Sequence, residues 1–348
     1  MKNSARVLFF LLFCLLPGTA KAGGGYGETG PYRVETFREI WTDAGREREV
    51  PVKAYYPVGV KDAPVIVFSH GLGGSRDNYE YLGRHWASHG FVSLHLQHHG
   101  SDMAVWKDKP KAERFAALKA AITDINVILD RPDDVSFAMT QVEERVRSGS
   151  HPLARVADAG NLAVAGHSFG AFTTMAVAGQ NFATPAGRFS FGDPRARAAI
   201  AMSPNKPRRD QDFEGVYADI RIPVFHMTGT KDTSPVTPSV KAQDRLVPYR
   251  RTSHPETHLL VLEGGDHMVF SGFRWGQLLG RPGPESDQRF HELIRAGSTA
   301  FWKAYLQQDA AALNWLANGG YEQALGSDGA YSNKRVEKAK AKNTGQTP

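Results

Sequence analysis

The sequence predicts one doubly wound α/β domain: a mostly parallel sheet of about eight strands with helices on both faces. Three observations point there. Short, unbroken apolar runs recur along the chain, amphipathic stretches of helical period lie between them, and no internal repeat is present. The 348 residues are enough for one large domain of this kind, and a composition of 41% hydrophobic and 22% charged residues excludes a disordered, collagenous or coiled-coil chain.

Taken in order, the chain begins with Lys2 and Arg6, an apolar run over 7–16, and Ala20-Lys21-Ala22. That is the layout of a secretory signal peptide over 1–22, cut after Ala22, and it implies a periplasmic or secreted protein. The run is too short to span a bilayer, which takes about 20 residues. Cys14 is the only cysteine and lies inside this segment. The mature chain is therefore expected to have no disulfide, no zinc–thiolate site and no cysteine nucleophile. Residues 33–40 and 48–56, separated by Asp43-Ala44-Gly45, read as an antiparallel hairpin. The apolar runs follow at 65–68, 91–94, 162–165, 198–201, 224–227 and 259–262, each short enough for a strand covered on both faces. Within 111–130, Phe115, Leu118, Ile122, Ile125 and Leu129 share one helical face. Pro132 is expected to end that helix, and Asp133 or Asp134 to cap the next. Beyond Leu325 large apolar side chains almost vanish, so 23–325 reads as the single catalytic domain and 326–348 as a basic, disordered tail.

The net charge of +6 sits at the ends: residues 1–22 contribute +3 and 333–348 contribute +4, leaving the body near −1. A nucleic-acid-binding face is not indicated.

In sheets of this class ligands bind beyond the carboxyl ends of the strands, so the chemistry is sought where the apolar runs stop. The run 162–165 leads into Gly166-His167-Ser168-Phe169-Gly170 and then a helix over 172–179. This is a nucleophile elbow in its required strand–turn–helix setting. Ser168 is the candidate nucleophile. A serine needs a base, and the base an orienting acid, in the chain order Ser, acid, His. The run 224–227 ends in Gly229-Thr230-Lys231-Asp232, and 259–262 ends in Glu263-Gly264-Gly265-Asp266-His267. Asp232 is taken as the acid and His267 as the general base, with Asp266 the rival acid. Two backbone N–H donors for an oxyanion are expected at Phe169 and at Leu72, the latter in the loop Ser69-His70-Gly71-Leu72-Gly73-Gly74.

These motifs resemble the α/β-hydrolase superfamily over roughly residues 33–318. Within it, Phe68-Ser69-His70-Gly71-Leu72-Gly73-Gly74 together with Gly166-His167-Ser168-Phe169-Gly170 is most similar to platelet-activating factor acetylhydrolase-like and dienelactone hydrolase-like bacterial esterases. The resemblance implies Ser168, Asp232 and His267 as a triad, Leu72 and Phe169 as an oxyanion hole, and no cofactor. It departs from the family pattern twice. Dienelactone hydrolases carry cysteine where this chain has Ser168. Animal platelet-activating factor acetylhydrolases place the acid just after the strand that follows the elbow, where this chain reads Met202-Ser203-Pro204-Asn205. The expected function is an exported serine esterase cleaving short-chain or acetyl carboxylic esters through an acyl-enzyme, with a small-molecule ester as its partner and no stable membrane insertion. A platelet-activating factor-type phospholipid acetylhydrolase or a peptidase on the same fold is the enzymatic alternative. A ligand-binding protein on a hydrolase scaffold is the non-enzymatic one.

Other signals are weaker. Gly25-Tyr26-Gly27-Glu28-Thr29-Gly30 matches a dinucleotide fingerprint in letters but follows no strand. His95, His98, His99 and Asp102 cluster without a metallohydrolase spacing, and no metal is expected. Phe169, Met268, Phe270 and Trp275 are candidates for an apolar acyl pocket, and Lys206-Pro207-Arg208-Arg209 reads as a solvated loop.

Overall fold

Alternation of inward and outward side chains sets the sheet. Val34–Asp43 (β1) and Arg48–Pro57 (β2) form the expected antiparallel hairpin, in register from Val34↔Pro57 to Asp43↔Arg48. Then come Ala63–Ser69 (β3), Glu80–Ser88 (α1), Val92–Leu96 (β4), Lys111–Ala121 (α2), Ile125–Ser148 (α3), Ala157–His167 (β5) and Phe169–Val177 (α4). The chain continues through Asn181–Thr184 (β6), Gly187–Ser190 (β7), Ala196–Met202 (β8), Phe213–Tyr217 (α5), Val224–Lys231 (β9), Val247–Arg251 (α6) and Thr257–Asp266 (β10). It ends with Ser286–Leu306 (α7), Ala310–Ala317 (α8), Gly320–Leu325 (α9) and Gly329–Asn333 (β11). The computed structural model describes residues 25–184, 187–207, 213–234, 236–237, 239–272 and 286–335. The signal peptide read at 1–22, Arg208, Arg209 and Trp275 lie outside the described residues.

The main sheet has nine strands in the order β1-β2-β4-β3-β5-β8-β9-β10-β11. From β4 to β10 every pair is parallel, and β11 closes the far edge antiparallel to β10. The period of two along each strand divides the core between two faces. Ile66 and Phe68 point to one face with Leu82 and Trp86 of α1 and Phe301 and Trp302 of α7, while Val65 and Val67 point to the other with Val135 and Met139 of α3 and Met175 of α4. This is the α/β-hydrolase fold.

Four expectations are corrected. The helix expected over 111–130 is two helices, with Asp124 accepting from the N–H of Asn126 to cap α3. Pro132 does not end a helix; it lies buried inside α3. Its ring costs a backbone bond, but Val135, Ala138, Met139 and Val142 beyond it pack into the core, and that burial carries the helix through. The proposed apolar stripe also fails to face the core throughout, since Phe115 is 51% and Ile125 60% exposed. Finally, 326–348 is not wholly a tail. Gly329–Asn333 forms β11, where Tyr331 pairs with Leu260 and packs against the Tyr321 ring at 5.1 Å and the buried Asn333 Nδ2 lies 3.0 Å from His258 Nδ1, so two inward side chains dock a small-residue strand.

Candidate active site

β5 runs straight into the elbow. Ser168 has φ 57° and ψ −112°, a strained geometry costing on the order of 1–3 kcal/mol. It is held there because its N–H donates to the carbonyl of Met202 at 2.9 Å and its own carbonyl accepts from Phe172 N–H at 3.1 Å. The flanking glycines are required by contact. A Cβ on Gly166 would lie 2.4 Å from the carbonyl oxygen of Gly170, and one on Gly170 would lie 1.9 Å from that of Ser69. α4 begins at Phe169, three residues earlier than the sequence suggests, so its positive N-terminal end lies directly behind the serine.

The residues expected from separate strand ends meet here. Ser168 Oγ is 2.9 Å from His267 Nε2, and His267 Nδ1 is 2.7 Å from Asp232 Oδ1. Asp232 and His267 are buried, while Ser168 is half-buried and reachable. The Asp232 carboxylate also accepts from Ser203 Oγ at 2.6 Å and Thr228 Oγ1 at 2.9 Å. Burial pushes its carboxyl up, but the hydrogen bond and charge of His267, the Arg245 guanidinium and the Ser203 hydroxyl outweigh that and hold it well below the usual carboxylate range. Asp266, the rival, is turned away and accepts from the N–H of Met268 at 2.9 Å. Ser203 stands at the end of β8, so the position where the resemblance puts an acid holds a hydroxyl donor to the acid one strand further on.

The loop after β3 lies beside Ser168. The N–H groups around Leu72 are engaged: Gly71 to Tyr79 Oη at 3.2 Å, Gly73 to Ser101 O at 2.8 Å and Gly74 to Gly71 O at 3.0 Å. Beneath this loop Arg131 is fully buried and donates to Thr173 Oγ1 at 2.9 Å, Ser101 Oγ at 2.7 Å and the carbonyl of His70. Its guanidinium lies 4.4 Å from the centre of the Phe169 ring, and burial pushes it down to about 9. A second hydrogen-bonded Ser–His–Asp series, Ser69–His98–Asp134, sits just below with gaps of 3.0 and 2.9 Å. All three side chains are sealed from solvent, so it props the loop and offers no nucleophile.

The histidine cluster weighed for metal does not converge. His95 stacks on Phe68 at 4.8 Å, His98 joins Asp134, and His99 lies 3.4 Å from Asp102. Among the described residues no group of three or more ligands is gathered to hold a metal ion. A cavity of about 240 Å³ opens beside Ser168, walled by Leu72, Met103, Trp106, Leu118 and Met268. Of the apolar pocket candidates among the described residues, only Met268 reaches it; Phe169 lies under Arg131 and Phe270 packs on the His167 ring at 5.7 Å. Arg131, Ser203, Thr228, Trp106 and Arg245 carried no motif and were not anticipated. Among the described residues no helix is long and apolar enough to cross a membrane.

A nine-stranded sheet with a serine at a strained strand–helix elbow is the arrangement of the α/β-hydrolase fold. Comparison with known proteins narrows this. A family described as platelet-activating factor acetylhydrolase, isoform II, matches residues 45–156, which takes in the Leu72 loop and stops short of the elbow. The chain is similar to the platelet-activating factor acetylhydrolase of Cavia porcellus, with 25% identity over 296 residues, 77% of this chain and 63% of that protein. It is also similar to the enzyme of that name from Canis lupus familiaris, with 25% identity over 244 residues, 62% of this chain and 50% of that protein. The chain thus spans between half and two thirds of the length of these relatives.

Proposed function

We propose that this protein is an exported serine esterase that cleaves short-chain or acetyl carboxylic esters through an acyl-enzyme. The observation that carries the reading is the 2.9 Å approach of Ser168 Oγ to His267 Nε2 at a strained elbow. Ser168 attacks the ester carbonyl carbon as His267 Nε2 takes its proton, and Asp232 steadies the imidazole through Nδ1–H. The tetrahedral oxyanion sits against the N–H groups of Leu72 and Phe169, for which no acceptor is found among the described residues. Collapse expels the alcohol, which takes the proton from His267. Water then attacks the acyl carbonyl, gives a proton to His267, and the acid leaves as Ser168 regains its hydrogen.

The small cavity and the absence of a long apolar insertion in the described chain favour short acyl groups. The printed name of the relatives favours a second reading, removal of acetate from platelet-activating factor. A panel of chromogenic esters with two to ten acyl carbons, run beside acetate release from platelet-activating factor, separates the two. No turnover in any arm, with Ser168 unreactive to a fluorophosphonate, would leave a ligand-binding protein on this scaffold. N-terminal sequencing of the exported protein tests the cut after Ala22; a first residue other than Gly23 would refute it.

A further inference from the structure

Arg245 lies on the short turn Ala242–Leu246, has no motif around it, and is fully buried against the site. Its Nε is 3.3 Å from Asp232 Oδ1 and 3.4 Å from the Asp232 carbonyl oxygen. Nη1 donates to the carbonyl of Ser203 at 3.1 Å and to Asn205 Oδ1, and Nη2 is 3.2 Å from His267 Nδ1. A serine–histidine–aspartate site needs only a carboxylate behind the imidazole. Here a cation touches both partners.

We infer that Arg245 is a positioning residue that fixes Asp232 against His267 and keeps the base unprotonated further into acid than an uncompensated carboxylate would. This rests on the serine-hydrolase reading above. The Nδ1 proton points at Asp232, 0.5 Å nearer than Arg245, so the guanidinium stands beside an N–H it cannot bond. That contact is tolerable while the ring is neutral and costs free energy once it is charged. Asp232 attracts a proton to the imidazole and Arg245 offsets the attraction, leaving the resting pair of charges balanced. The other groups facing His267 do not supply this balance. His167 of β5, 4.9 Å away ring to ring, is held neutral by burial; Asp266 of β10 caps Met268; and Lys206 pairs with Asp244 at 3.0 Å on the outer side.

The test follows the rate of Ser168 phosphonylation by an alkyl fluorophosphonate from pH 5 to 9, with near-UV circular dichroism at each point. That rate reports the serine–histidine pair without assuming a substrate. In Arg245→Gln the acid limb should move to higher pH by about 0.5 to 1.5 units, because loss of the cation favours the protonated ring. Arg245→Lys retains the charge but not the fork, so its limb should stay with wild type while its plateau rate falls. Coincident limbs in wild type and Arg245→Gln, or a plateau loss with no shift, overturn the proposal and leave Arg245 a structural filler. If Arg245→Gln does not fold, Arg245→Lys decides alone, and a shifted limb overturns it. Wild type that takes up no phosphonate at Ser168 overturns the serine-hydrolase reading, and this proposal with it.

Discussion

The His167 ring reaches across the elbow and ties the neighbour of Ser168 to His267: its Nε2 is 2.9 Å from the carbonyl oxygen of His267. Its Nδ1 faces Tyr79 Oη at 2.9 Å, and that hydroxyl in turn accepts from Gly71 N–H. Burial holds His167 neutral, which suits one donating and one accepting nitrogen. His167 thus braces the Leu72 loop on one side and the His267 loop on the other.

Breaking that brace should cost rate more than binding. His167→Leu removes both hydrogen bonds at similar volume and frees the His267 loop, and kcat should fall about 10²-fold with KM changed little. Tyr79→Phe keeps the His267 contact and strands Gly71 N–H, so it should cost about 1–3 kcal/mol of stability and less rate. Steady-state kinetics with urea unfolding of both variants decides this; a larger kcat loss in Tyr79→Phe would place the brace on the wrong side.

Ser168→Ala should preserve the fold and lower kcat by about 10⁶. Asp232→Asn should cost about 10⁴ by favouring the wrong imidazole tautomer. Asp266→Asn should cost far less, since that carboxylate caps Met268 instead of facing the ring. Reversed losses in the two aspartate variants would mean that the acid is Asp266.

The elbow was legible because its constraint is local: glycines where a Cβ would strike backbone, next to an apolar run and a helix. Asp232 and His267 were legible from their place at strand ends, where β9 and β10 stop side by side. Arg131 and Arg245 were not, since each meets the site only after a helix and a turn from elsewhere fold against it. The same reason hid Pro132, whose local rule for ending helices yields to the burial of α3, and β11, whose docking rests on Tyr331 and Asn333.

Acid should unfold this protein early. Burial pushes His85, His95, His226 and His258 down to about 3 and His98 to about 4, and holds His70 and His167 well below the usual range. An unfolded histidine binds its proton near ~6.5. The folded values lie below the unfolded one, so this stability is complete above ~6.5 and is lost as pH falls toward 4 and 3. Each such histidine withdraws up to about 1.4 kcal/mol per pH unit over that window. Asp134 extends the loss. Burial pushes it up, but hydrogen bonds from His98 and Arg48 hold it down to about 2, so its share disappears between ~3.9 and that value. The thermal midpoint should be level above pH 7 and fall steadily below 6.5. A midpoint unchanged between pH 7 and 4.5 would show that these rings take up protons in the folded state.

Leu118 and Trp106 should set acyl length. Trp106 Nε1 donates to the carbonyl of Gly73 at 2.8 Å, and a Cβ on Gly73 would lie 2.8 Å from that nitrogen and 2.9 Å from Leu118 Cδ2. The two side chains therefore close the cavity directly against the loop that carries Leu72. Leu118→Ala should open the wall without loosening the loop. Each added methylene that finds the new space is worth about 0.8 kcal/mol, or roughly fourfold in kcat/KM. The preference should thus move from acetyl and butyryl toward hexanoyl and octanoyl esters, while acetyl turnover stays within about threefold of wild type. Trp106→Ala opens more room but also frees Gly73, so it should gain length tolerance and lose acetyl kcat as Leu72 N–H drifts from the oxyanion. Measuring kcat/KM from two to ten acyl carbons for wild type and both variants checks the assignment. An unaltered chain-length profile in Leu118→Ala would place the acyl group against other residues of the cavity lining, such as Val236 and Met268.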